Sequence, residues 1–372
     1  MPPLTSDTVG VAFDMFGCPN RCRHCYLGVP SPAGGRMTED HLRWAVEQFR
    51  TFRRPGEDQP LWRELRVSTS VREPDYGDDY RRLHDLENEL SDLPSPRAKW
   101  ELLSVWRLAR DPEYAPWAHS IGVRVCQLSF FGLEKVTDWA CRRRGAFRDA
   151  LTATERLLAA GIRPRWQWFF TKRIMPDLPG LIALARELNL RERCEALGGP
   201  FTLFMHCPSP DGEAWRLEHV RPTVADAERV SEWLREQDAA AILRPVGEPE
   251  SRLVHLLYGE RQPTAGAISE RILGNELLWF EILPGFDVYS NLGGLTPAWR
   301  LGNLKTDGLA SILDTLENDR TPGLRAIFRV PVRELAHRFG HPRGQRVYVR
   351  EDLKERWIRM WADGMLRAGS KY

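Results

Sequence analysis

The chain has 372 residues, of which 42% are hydrophobic, 28% charged and 10% aromatic; this excludes a disordered tail, a collagen and a mini-protein, and the length suits one large domain or a domain with a smaller appendage. Its 53 basic and 51 acidic side chains leave a formal charge of +2, so no global field draws it onto nucleic acid or an anionic membrane. The seven cysteines, at 18, 22, 25, 126, 141, 194 and 207, are odd in number and crowd three into one short stretch, a poor pattern for a secreted disulfide framework.

The N-terminal run MPPLTSDTVGVAFDMF has neither a basic leader nor a long apolar core, and no stretch reaches the roughly 18 apolar residues a membrane span needs. The expectation is a soluble cytoplasmic protein with reduced thiols. From residue 9 onward, short apolar or alternating runs recur between amphipathic segments, the pattern of repeated βα units. The predicted strands are Val9–Met15, Leu65–Ser70, Trp100–Leu108, Val123–Phe131, Arg163–Thr171 and Phe201–Cys207. Between and after them lie predicted helices over Glu39–Phe52, Tyr76–Leu90, Ala146–Ala160, Leu178–Leu188 and Ala225–Gln237. These strands are too few for a closed eight-stranded barrel of roughly 250 residues. The expected fold is therefore α/β, a partial (β/α)6 TIM-like barrel over residues 1–240.

Residues 241–372 read as a smaller α+β appendage. A polar stretch, Pro245–Gln262, precedes ELLWFEILPGFDVYSN, two short strands split by the Pro284-Gly285 turn, and a helix over Glu351–Arg367 closes the chain.

Cys18-Pro-Asn-Arg-Cys22-Arg-His-Cys25 follows the first predicted strand directly. Three thiolates so spaced can close on one face of a soft metal centre. A structural zinc site wants four closed ligands, and no second CxxC or HxxxH pair supplies the fourth; a cubane iron–sulfur cluster on three cysteines keeps one iron open. A structural or regulatory zinc site and a thioredoxin-like Cys22/Cys25 redox pair are the alternatives.

CxxxCxxC with the aromatic His24 before its last cysteine, in the loop after the first strand of a βα chain, resembles the radical S-adenosylmethionine (SAM) superfamily. The resemblance implies one [4Fe–4S] cluster on Cys18, Cys22 and Cys25, whose open iron takes the amino and carboxylate groups of SAM. Reduction would cleave the sulfonium to a 5′-deoxyadenosyl radical that abstracts a substrate hydrogen. It implies cofactor contacts for His24 and for Ser70-Val71-Arg72-Glu73-Pro74, which matches a Gly-Gly-Glu-Pro-like segment after the second strand but has lost both glycines. Leu128-Ser129-Phe-Phe-Gly132, then Arg142-Arg-Arg-Gly145-Ala-Phe147 and Ala160-Gly161-Ile162, is similar to a run in the peptide- and metabolite-modifying branch. This makes Ser129 a candidate for the SAM ribose or carboxylate, and Arg142 or Arg144 a candidate clamp for the carboxylate. Phe131 replaces an Asp of that branch.

Alternation in Arg163–Thr171 places Arg165, Gln167 and Phe169 on one face and Trp166, Trp168 and Phe170 on the other. The aromatic face should pack on helices, and the polar face should point into the barrel, where buried Arg165 and Gln167 need partners that a cofactor or substrate supplies. Cys207 shares a face with Phe201, Leu203 and Met205 and is expected to point inward as a hydrogen-atom donor; a small buried hydrophobe is the alternative. Cys126, opposite Ser129, is read as core, and Cys194 as having no role.

Residues 282–317 resemble the entry to a SPASM extension, in which cysteines bind auxiliary clusters. No cysteine follows residue 207, and Ser290 or Asn291 stands near the expected first ligand. The expectation is a cluster-free lid, and chemistry that is redox-neutral or quenched by hydrogen donation. The resulting functional expectation is a radical SAM enzyme acting on a small polar metabolite or natural-product intermediate, with an external flavodoxin- or ferredoxin-type electron donor and no nucleic-acid or membrane partner. The alternatives are modification of a ribosomally made peptide and, from another class, a non-catalytic zinc- or cluster-binding regulator.

Overall fold

The computed structural model describes residues 6–15, 18, 20–25, 36–69, 79–93, 102–209, 212–237, 239, 242–243, 247–264 and 277–369. The chain is α/β. β1 (Thr8–Phe13) pairs in parallel with β2 (Glu64–Ser68), with Val9 opposite Leu65 and Val11 opposite Val67. Between them runs α1 (Glu39–Thr51), started by a Thr38/His41 capping box and burying Leu42, Ala45, Val46 and Phe49, the spacing of one helix face. α2 (Tyr80–Leu90) returns from β2.

The next predicted strand, Trp100–Leu108, is not one in its described part. Ser104 accepts a hydrogen bond from the Arg107 backbone N–H at 3.1 Å and starts the short helix α3 (Val105–Leu108). A side-chain cap at this position competes with strand pairing, and the apolar run alone did not reveal it. After α4 (Tyr114–Ser120), β3 (Val125–Phe130), β4 (Arg163–Phe169) and β5 (Thr202–His206) form a second parallel sheet in sequential order. Helices α5 (Glu134–Cys141) and α6 (Ala146–Ala159) separate β3 from β4, α7 (Leu178–Glu187) and α8 (Leu190–Ala196) separate β4 from β5, and α9 (Val224–Glu236) follows.

The C-terminal residues are built onto the first sheet. After β6 (Glu248–Pro249) and α10 (Glu250–Leu257), β7 (Trp279–Ile282) pairs in parallel with the free edge of β1 and forms the expected hairpin with β8 (Asp287–Ser290). Gly10 stands opposite Trp279, and a Cβ there would meet the indole at 2.2 Å, so only glycine lets the ring lie across β1. β9 (Gly302–Asn303) extends the hairpin, followed by α11 (Gly308–Glu317), α12 (Pro322–Arg329), α13 (Val332–Phe339), β10 (Val347–Tyr348) and α14 (Arg350–Gly369).

Two cores result. Val9, Val11, Phe13, Leu65 and Val67 pack with Phe280, Ile282, Val288, Ile312 and Trp357, so β1 and β2 share their core with residues of the C-terminal half. The β3–β5 sheet has its own core, with Cys126, Leu128, Trp166, Trp168 and Met205 against the helices. Among the described residues no helix is long and apolar enough to cross a membrane.

Candidate functional site

The last carbonyls of an α-helix have no partner within it, and those of α5 are taken up by the cysteine loop. Arg23 N–H donates to the Ala140 carbonyl at 2.7 Å, Arg21 N–H to the Cys141 carbonyl at 3.2 Å, and Arg23 Nε to the Trp139 carbonyl at 3.2 Å. Residues 20–25 are thereby laid along the end of α5, and a bond from Cys25 N–H to the Cys22 carbonyl at 3.2 Å turns these two cysteines together. Arg142 caps α5 in the left-handed region at φ 53°, which reverses the chain and brings Arg143 back under the loop. Arg143 Nε donates to Asn20 Oδ1 at 2.5 Å, and its Nη1 lies 2.6 Å from Asp149 Oδ2. Of the three consecutive arginines, then, Arg142 and Arg144 are exposed and Arg143 is the half-buried one that holds the loop.

Cys18, Cys22 and Cys25 are each half-buried and free of disulfides. The adjoining Cys141 thiol, burial, and the charges that Cys141, Cys18 and Cys25 would carry all push the Cys22 thiol upward from the ordinary thiol range. The three thiols therefore lie within electrostatic reach of one another. Among the described residues no three His, Cys, Asp or Glu side chains converge as a ready metal site, so the loop is not a preformed cage. Its donor set, three neighbouring sulfurs with an apolar backing from Phe131, Ala140, Cys141 and Ala146, nonetheless fits an iron–sulfur cluster better than a hard cation.

His24 is wedged against two stacked phenyl rings. It lies 4.5 Å from Phe131 and 4.8 Å from Phe169, and those two rings stack at 4.6 Å, 6° from parallel. Its Nδ1 is enclosed without a hydrogen-bond partner, and burial pushes its pKa down to about 3, so the ring is neutral. Phe131, where the resembling branch has an Asp, thus forms the wall behind the loop.

β4 alternates as expected: Trp166, Trp168 and Phe170 fill the helix-side core, and Arg165, Gln167 and Phe169 occupy the other face. On that face Gln167 is the centre of a polar ladder. Its Oε1 accepts from Gln127 Nε2 at 2.8 Å and from Ser129 Oγ at 3.2 Å, and its Nε2 is hydrogen-bonded to His206 Nε2. Arg165 is buried on the same face with its guanidinium 4.3 Å from the Phe204 ring centre. His206, which the sequence reading passed over, joins because it pairs with Phe169 in the β4–β5 register.

The same register corrects Cys207. Gln167 faces Phe204 and Phe169 faces His206, so these β5 side chains share the polar face, while Leu203, Met205 and Cys207 belong to the helix-side core. The Cys207 thiol is buried there and pushed up to about 12 by that burial. Alternation had correctly grouped Cys207 with Phe201, Leu203 and Met205, but their face is the outward one. Cys126 and Cys194 are buried in the same core.

Ser70 and Glu73 lie outside the described residues. Up to that point the end of β2 is held by Glu87, which accepts from Thr69 N–H at 2.5 Å and Thr69 Oγ1 at 2.9 Å. In the β7–β8 hairpin Ser290 is buried, and the Asn291 amide bonds the Trp279 N–H and the Leu277 carbonyl, both at 3.1 Å. These are hairpin-closing roles.

No protein-family description matches the chain, and no curated protein matches it. Solved structures similar to it include native anSMEcpe with bound AdoMet, at 12% identity over 97% of this chain and 99% of that one, TM-score 0.48. They also include native anSMEcpe with bound AdoMet and Cp18Cys peptide, at 13% identity over 100% and 99%, TM-score 0.48, and with AdoMet and Kp18Cys peptide, at 12% identity, TM-score 0.45. Likeness at this level says nothing of what this chain binds.

Proposed function

We propose that this protein is a radical SAM enzyme acting on a small polar metabolite or natural-product intermediate. The observation that supports the reading is the position of the CxxxCxxC loop: residues 21–25 are tied by backbone hydrogen bonds to the end of α5, and His24 within it lies against Phe131 and Phe169, where the polar face of β3–β5 begins. Cys18, Cys22 and Cys25 would hold one [4Fe–4S] cluster. The bound cluster and SAM would together supply reductive cleavage of the sulfonium, giving a 5′-deoxyadenosyl radical that takes a hydrogen atom from the substrate.

The chain's own residues supply position and polarity. Asn20, Arg143 and the carbonyls of Trp139, Ala140 and Cys141 fix the loop. His24, neutral against the two stacked phenyl rings, would offer an uncharged aromatic surface to a cofactor. Gln127, Ser129, Gln167 and His206 present amide, hydroxyl and imidazole groups across three adjacent strands. This is a set suited to ordering a small ligand rich in hydroxyl and amine groups. Ser129, Gln167 and Arg165 are proposed as cofactor or substrate contacts, with Ser70 and Glu73 completing the set after β2.

Anaerobic iron reconstitution, reduction and addition of SAM test the reading. It predicts about four irons per chain and formation of 5′-deoxyadenosine, both lost in C18A/C22A/C25A. Iron content that survives the triple substitution, or a zinc-loaded protein that yields no deoxyadenosine under any reductant, would overturn it in favour of a regulatory metal protein.

A further inference from the structure

Of the three consecutive arginines that follow α5, the middle one is placed unlike its neighbours. Arg142 and Arg144 are exposed, where water and salt screen their charge, whereas the Arg143 side chain is 17% exposed. Its Nε donates to Asn20 Oδ1 at 2.5 Å, and its Nη1 lies 2.6 Å from Asp149 Oδ2. Its Nη2 is enclosed without a hydrogen-bond partner among the described residues. An enclosed donor left unmet costs free energy that a bound acceptor recovers. A thiolate or sulfide sulfur is an acceptor of that kind.

Asn20 is the midpoint of the segment from Cys18 to Cys22, so Arg143 reaches the loop of proposed ligands through a single side chain. The backbone bonds from Arg21 and Arg23 to the end of α5 already lay that loop along the helix, and position alone does not account for a charged side chain here. What Arg143 adds is charge. Asp149, 15% exposed, does not cancel it fully, because the same carboxylate also pairs with Arg110 at 2.9 Å. Two guanidiniums on one carboxylate leave a net positive charge, and it is Arg143 that lies against the loop, Arg110 being exposed. A half-buried positive charge beside a redox centre favours its reduced form, because reduction adds negative charge. Groups that hold a ligand loop tune a metal centre in this way without touching it.

We propose that Arg143 is a positioning residue that raises the reduction potential of a cluster held by Cys18, Cys22 and Cys25, with Asp149 moderating its charge; this rests on the cluster of the radical SAM reading. In the step concerned, one electron leaves a low-potential reductant such as dithionite, which is oxidised, and enters the cluster, which is reduced; no bond forms or breaks.

The test compares cluster potentials in the reconstituted full-length protein, read from the paramagnetic signal of the reduced cluster at a series of fixed solution potentials. At a given potential, R143Q should lower the ratio of reduced to oxidised cluster on the order of tenfold, equivalent to about 59 mV for one electron. D149N should raise that ratio by a similar factor. R143K, which keeps the charge, should stay near wild type. The opposite signs distinguish tuning by charge from a structural role, since loosening the loop would move R143Q and D149N the same way or not at all. Potentials unchanged in both variants, or shifted in the same direction, would overturn the assignment. Should R143Q retain no iron, the other two variants decide: a raised ratio in D149N with R143K at the wild-type value supports the assignment, and an unraised one overturns it. A wild-type cluster that yields no deoxyadenosine would overturn the radical reading, and the potentials would still decide the role of Arg143. A wild-type chain that holds no cluster would overturn both.

Discussion

The thiol of Cys22 faces that of Cys141, the last residue of α5, and the neighbouring sulfur raises it from the ordinary thiol range. The contact follows from the backbone, since the residues on either side of Cys22 donate to the carbonyls of Ala140 and Cys141. It places a fourth sulfur beside the triplet.

Cys141 is nonetheless buried and belongs to the apolar backing of the loop. On the proposed function, ligation belongs to the three loop cysteines alone. Cys141→Ala should therefore load about four irons per chain and keep deoxyadenosine formation, whereas Cys22→Ala should lose both. Iron counting after reconstitution checks this; loss of the cluster from Cys141→Ala would make it a ligand.

Gln167 holds the polar face together through Gln127, Ser129 and His206. Gln167→Ala removes the shared partner of all three. Deoxyadenosine formation should fall by about tenfold, equivalent to about 1.4 kcal/mol in the barrier, with iron content unchanged. Kinetics alongside iron analysis separate this from loss of the cluster.

How far the sequence could be read varied with the range of the interaction involved. The cysteine loop and the two faces of β4 were legible because spacing and a period of two are local properties. Which face of β5 meets Gln167 was not, because alternation defines two faces and only the pairing of Phe169 with His206 tells them apart. The pairing of β7 with β1, and hence a C-terminal half built onto the first sheet, depends on contacts far apart in the chain. Arg143 was hidden between two equivalent neighbours until the left-handed turn at Arg142 distinguished it.

Cys207 gives the clearest consequence of that register. Its thiol lies in the helix-side core, close to the charges of Arg221, Glu218 and Asp352. Turnover of Cys207→Ala in deuterated solvent should incorporate deuterium to the wild-type level; loss of incorporation would restore it as a donor.

Glu218 joins the end of β5 to the C-terminal elements. It accepts from Tyr348 Oη at 2.5 Å and Arg221 Nε at 2.8 Å and lies 3.2 Å from Arg356 Nε, while Arg221 also donates to the Val347 and Pro208 carbonyls. Burial raises the carboxyl, but Arg221, Tyr348 and Arg356 outweigh it and hold it below its ordinary 4.5. A depressed carboxyl contributes stability above its unfolded value that is lost as pH falls through the folded one. Glu218→Ala leaves the Arg221 guanidinium, 2% exposed, without its counter-charge and should cost about 3–5 kcal/mol at neutral pH. Urea midpoints should show this gap between wild type and variant narrowing as the pH drops below about 4.5; a gap that does not change with pH would contradict the assignment.

In the proposed function Cys18, Cys22 and Cys25 hold a cluster with one iron left for SAM. Electron paramagnetic resonance of the reconstituted, dithionite-reduced protein, recorded without and with SAM, tests it most directly. The expected result is the signal of a single reduced [4Fe–4S] centre whose g values and line shape change when SAM is added. A cluster signal that SAM leaves unaltered, or one that persists in C18A/C22A/C25A, would contradict it.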